Sequence, residues 1–197
     1  MFDPTDARSW LNYGDRSYLA TRLLWFVGFR LDVPVQAHRT IELYLKALLV
    51  SFGRRIVRGN VWGHDLGVLY AECVAGYPAF ANPDVERRLR FLNRYFEYVR
   101  YPSEPGSPED GSLVWFSFEA NVEILDQLVA YVRPRVQLPE AAWAESKLTS
   151  AAKADAASFE HRALSDDNAE LKTILCRRSS DAHVAFPAEF RFDQPSC

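Results

Sequence analysis

Glu42 and Lys46 stand four residues apart in the run from Ala37 to Leu49, the order and spacing at which a carboxylate and an ammonium meet on a helix surface. Two roles are open to them. They can form an intrahelical ion pair worth roughly 0.2–0.5 kcal/mol, or they can line a polar groove that contacts a phosphate or a base. Further on, His64 and Asp65 are adjacent. They can read a polar ligand, or they can open a helix by capping its free amides and satisfying each other. Arg54, Arg55 and Arg58 place three guanidinium groups within five residues beside Gly53. That composition suits an anion-binding loop, and equally a solvated one. Arg94, Tyr98, Arg100 and Tyr101 mix guanidinium groups with aromatic rings, which stack on bases and hold phosphates. The alternative is that Arg100-Tyr101-Pro102 ends a helix and anchors the following loop.

The elements that must position these side chains are read as helices. The chain has 197 residues, of which 48% are hydrophobic and 14% aromatic, enough for one core with an appendage. Glycine is sparse, and the eleven prolines gather between apolar runs. A net charge of −3 excludes a protein that coats nucleic acid through bulk electrostatics, while leaving room for a local basic patch. Three widely spaced cysteines, Cys73, Cys176 and Cys197, form no metal-ligand or disulfide pattern. No metal, no cofactor and a reducing cytoplasm are therefore expected. The start Met1-Phe2-Asp3-Pro4 is not expected to act as a secretory leader. The most apolar stretches, Leu19 to Phe29 and Leu43 to Phe52, are interrupted by Arg22 and Lys46, so no membrane span is expected.

Periodicity predicts a first helix capped by Asp15 or Ser17 and ending near Arg30, with Tyr18, Leu19, Leu23, Phe26 and Val27 on its stripe. After Pro34, a second helix carries two apolar stripes and stops at Gly53, which marks it as central and well buried. Asp65, or the residue beside it, caps a short third helix closed by Gly76 and Pro78. Asn82-Pro83-Asp84 opens a fourth, through Val85, Leu89, Leu92 and Phe96. Tyr101 to Ser112 has the composition of a loop. A fifth helix then runs from Phe118 to Val132 and ends at Pro134. Beyond Pro139 the composition turns to alanine, serine and charge. One candidate helix there reaches about Phe159, and a second spans Asp167 to Leu175. The reading is an all-α chain: an antiparallel four- to five-helix up-down bundle over 1–135, with a C-terminal accessory segment, 136–197, that is not an independent domain.

The succession Tyr18-Leu19-Ala20-Thr21-Arg22-Leu23-Leu24, the run Ala37 to Leu49 with Glu42 and Lys46, Gly53, His64-Asp65-Leu66 and Arg100-Tyr101-Pro102 resembles the HEPN family over about residues 15–133. The resemblance implies a helical bundle, homodimerisation, and a role linked to nucleotides or RNA, beside a nucleotidyltransferase-like protein partner. Ribonucleases of the family carry an arginine and a histidine with four to six residues between them near the start of the last core helix, as in toxin–antitoxin systems. Between Arg94 and Phe118 this chain has no histidine. The spacing recurs at Arg58 with His64, and at Arg177 or Arg178 with His183. With 23 basic residues and four histidines, such matches also arise by chance. The leading expectation is a non-catalytic nucleotide- or RNA-binding or protein-interaction module. Its candidate ligand-binding residues are Glu42, Lys46, Arg54, Arg55, Arg58, His64, Asp65, Arg94, Tyr98, Arg100 and Tyr101. The alternative is a divergent, metal-independent endoribonuclease that uses Arg58 and His64, or Arg178 and His183, across a dimer.

Overall fold

Asp6 is the residue that starts the first helix. Its carboxylate accepts hydrogen bonds from the amides of Arg8 and Ser9, satisfying two of the donors that a helix start leaves free. In the computed structural model, which describes residues 3, 5–29, 32–56, 63–100 and 118–175 and only the backbone of 97–100 and 118–121, α1 therefore spans Ala7–Phe26. Asp15 and Ser17, expected as caps, lie buried inside it, and the helix ends at Phe26 rather than near Arg30. α2 spans Val33–Ser51 with a proline in its first turn. Gly53 follows it at φ +79°, the left-handed conformation in which a side chain is disfavoured.

α3, Leu66–Gly76, is capped by Asp65 as expected. α4, Pro83–Arg100, is capped by Asn82, whose Oδ1 accepts from the amides of Asp84 and Val85. α5 spans Phe118–Val132 and passes into a 3-10 turn, Arg133–Arg135, at Pro134. No strand occurs among the described residues, and the chain is an all-α bundle. The single helix expected after Pro139 is two, α6 (Glu140–Ala144) and α7 (Lys147–Ala152), because Ser146 breaks the chain to cap α7. α8, Phe159–Ser165, and α9, Leu171–Leu175, follow.

Pairwise contacts give the directions. Trp10 lies against Lys46, Tyr44 bonds Asp15, and Thr21 meets Thr40, so α1 and α2 are antiparallel. Arg22 pairs with Asp126 and Arg133 with Asp15, which sets α5 antiparallel to α1. α4 begins beside Tyr70 and reaches His38 with Asn93 and Phe96, running against α2. α2 lies at the centre: fourteen of its nineteen residues are buried, in keeping with its two apolar stripes. Cys73 is buried on α3 with its thiol 3.7 Å from the carbonyl of Leu45. Burial raises its pKa and leaves it a small hydrophobe. No helix among the described residues is long and apolar enough to cross a membrane.

α1 and α2 approach closely at Gly14. A Cβ there would stand 2.8 Å from two ring carbons of Tyr44, and the ring cannot yield because it is fully buried with its hydroxyl 2.9 Å from Asp15. Gly14→Ala is therefore expected to destabilise the protein by about 1–3 kcal/mol, the cost of overpacking, even though alanine is favoured in helices by roughly 1 kcal/mol. A lowered urea midpoint would agree with this, and an unchanged or raised one would contradict it.

Candidate functional site

The carboxylate of Glu42 leaves the middle of α2 in a buried position, where an ionised group must be paired. Two basic groups share it. Lys46, one turn on, binds Oε1, and Nδ1 of His64 lies 2.9 Å from Oε2. A carboxylate only accepts, so the Nδ1–H of His64 donates. The ammonium of Lys46 is also 5.5 Å from the ring centroid of Trp10 on α1, within cation–π range, and its side chain is only 11% exposed. The side chain of His64 is 69% exposed. Solvent thus meets the imidazole, while the lysine stands behind it between an indole and a carboxylate.

A second layer fixes the backbone that carries His64. His38, one turn before Glu42, is buried. Its Nε2 donates across 3.0 Å to Oδ1 of Asn93 on α4, and the same oxygen accepts the amide of Leu66 at 3.3 Å. The His38 ring stacks on Phe96 at 4.0 Å between centroids. The amides of Gly67 and Val68 take Asp65 as their cap. The adjacent pair is therefore divided: Asp65 starts α3, and His64 turns to Glu42 rather than to its neighbour. Burial pulls the pKa of His38 below the ordinary imidazole value, against the bond to Asn93 and the charges of Glu42 and Asp65, and with the neighbouring His64. The arrangement holds a carboxylate-oriented imidazole at the surface. Such a group can hydrogen-bond a ligand, exchange a proton, or attract a phosphate when protonated.

The other residues expected at a site are placed separately. Arg54 lies beyond the end of α2, 3.9 Å from Glu72, with more than two helical turns separating Glu42 from that end. Arg55 is exposed on the same segment, and Arg94 is exposed on α4 beside Asn93. Tyr98 and Arg100 belong to α4, but their side chains lie outside the described residues. Arg58, Tyr101, Arg177, Arg178 and His183 also lie outside them. The structure brings Glu42, Lys46 and His64 together, with Asp65 next in the chain, and sets Arg54 apart. Sequence reasoning missed Trp10, His38 and Asn93. Trp10 fell outside a helix thought to begin at Asp15, although Ala7, Leu11 and Tyr18 continue the same stripe toward the N-terminus. Among the described residues, no group of three or more histidine, cysteine or acidic side chains is placed to hold a metal.

A family model described as the HEPN domain matches residues 7–119, more than half of the chain. No curated protein and no solved structure matches it.

The lowered pKa of His38 has a signed consequence. Well above 6.5 neither the folded nor the unfolded imidazole is charged. As pH falls below that value the unfolded chain binds a proton that the folded one resists, and stability is lost. Asp126, whose carboxyl burial pushes up to about 7, acts in the opposite sense between its unfolded and folded pKa values, so the isolating measurement is a difference. Thermal melts of wild type and His38→Gln should converge as the pH is lowered below 6.5, as wild type loses the stability that the non-titrating variant retains. A constant gap would contradict this.

Proposed function

The chain belongs to the HEPN family, and we propose that it acts as a binding module for a phosphate-bearing ligand, a nucleotide or a segment of RNA, with His64 as its reading group. The observation that carries this is the buried Glu42 carboxylate, which holds Lys46 inside and presents His64 outside. In this reading Lys46 positions Glu42, and Glu42 fixes the imidazole so that its other ring nitrogen serves the ligand. Arg94 stands on the adjacent helix as a phosphate partner. Arg54, Arg55, Arg58, Tyr98, Arg100 and Tyr101 remain candidates for a longer ligand that extends beyond His64. HEPN domains often dimerise, and the proposal is of a cytoplasmic homodimer with a nucleotidyltransferase-like protein as partner. The missing histidine between Arg94 and Phe118 supports a non-catalytic role.

One observation favours a second reading. A carboxylate-bound imidazole 69% exposed also has the form of a general acid–base, which suits a metal-independent endoribonuclease centred on His64, with Arg58 near it in sequence.

Fluorescence polarisation with labelled nucleotides and short RNAs tests the first reading. Saturable binding is expected, weakened about tenfold or more, equivalent to ~1.4 kcal/mol, in both His64→Ala and Glu42→Gln. No saturable binding up to millimolar ligand would overturn it. Incubation with RNA tests the second: cleavage that disappears in His64→Ala would replace binding by catalysis.

A further inference from the structure

We infer that the folding unit of this chain extends past the family-matched helices to residue 175, and that residues 136–175 are a clasp without which the bundle cannot close its own core. Two arginines of the bundle carry the inference. Arg22 and Arg133 are both fully buried, and a guanidinium in that position needs acceptors for its five N–H groups. The bundle supplies each with one carboxylate: Nη1 of Arg22 donates to Asp126 at 2.9 Å, and Nε and Nη2 of Arg133 donate to Asp15 at 2.8 and 3.1 Å. Further acceptors come from the clasp.

Nε of Arg22 donates to the carbonyl of Ala163 at 3.0 Å, and Nη2 donates to the carbonyl of Asp166. Both carbonyls lie at the C-terminal end of α8, where a helix has no internal donors left for them and its dipole is negative. Arg133 uses Nη1 on the carbonyl of Ile174 near the end of α9, at 2.6 Å, and Nη2 on the hydroxyl of Ser146 at 2.9 Å. Trp143 of α6 lies over its guanidinium, 4.6 Å from the ring centroid. The other half of the same ion pair is engaged too, since the amide of Leu148 donates to Asp15 at 3.3 Å. Beside Arg22, Asn168 donates to the hydroxyl of Tyr18 at 2.9 Å, and that hydroxyl donates to Asp126 at 2.6 Å.

The dependence runs both ways. Helices of five to seven residues do not form alone in water, so α6–α9 have no structure to offer before they dock. With the clasp absent, the bundle would expose the apolar positions covered by Trp143, Leu148, Leu164 and Ile174, all of which belong to its continuous core. It would also leave two buried guanidinium groups short of acceptors.

Native-state hydrogen exchange by mass spectrometry on the full chain tests this. Leu164 of α8 is fully buried, so Leu164→Ala should lower protection in α1 and α5 by the same factor as in α7 and α8, about thirtyfold or more. Loss of protection confined to α7–α9, with α1 and α5 unchanged, would overturn the inference. Should that variant fail to accumulate, the wild-type chain in low urea gives the same answer. A single opening shared by α1, α5 and α7–α9 is expected, and earlier release of α7–α9 would overturn it.

Discussion

The buried pair of Asp15 and Arg133 is the constraint around which the rest of the molecule is arranged. Neither side chain touches solvent, and removing one partner of such a pair costs about 3–5 kcal/mol, because the charge left behind is unpaired. The pair is tolerated only because its polar positions are filled from many directions. α1 supplies the carboxylate, the turn after α5 the guanidinium, α2 the hydroxyl of Tyr44, and the C-terminal helices an amide, a hydroxyl and a carbonyl. Asp126 with Arg22 repeats the scheme one helical segment away. These pairs set the register of α1 against α5, which apolar packing alone fixes loosely.

The same device, a buried carboxylate that orients basic groups, produces the candidate site when one of those groups faces outward. Asp15 and Asp126 hold arginines that are hidden, and their chemistry is spent on structure. Glu42 holds Lys46 inward against Trp10 and His64 outward. The difference lies in position. Glu42 sits where the chain returns to open α3, and the two residues before Leu66 land on it and on the α3 cap. His38, Asn93 and Phe96 form the floor beneath that landing point.

Much of this was legible in the residues, and the remainder was hidden for identifiable reasons. The two stripes of α2, the Asn82 and Asp65 caps and the stop at Gly53 are local signals, and the structure reproduces them. Asp15 and Ser17 misled because small polar residues before an apolar run have the appearance of a cap, and the arginine that explains Asp15 lies 118 residues away. The short C-terminal helices have thin stripes because much of what holds them is polar and belongs to the bundle. At the site, the Glu42 to Lys46 bond follows from spacing alone, whereas the bond from His64, 22 residues on, requires the loop to fold back. Arg54, open in the sequence to an anion-binding or a solvated loop, lies 3.9 Å from Glu72, a pairing that only the packing of α3 beside α2 reveals.

The most direct test of this account is the behaviour of the Arg133 side chain itself. In nitrogen-edited NMR spectra its Nε–H, assigned by its loss in Arg133→Lys, should remain visible at alkaline pH and exchange with solvent only as slowly as the most protected core amides. A resonance bleached by rapid exchange, like that of a surface arginine, would show that the charge is not enclosed and that the helices are held in place by something else.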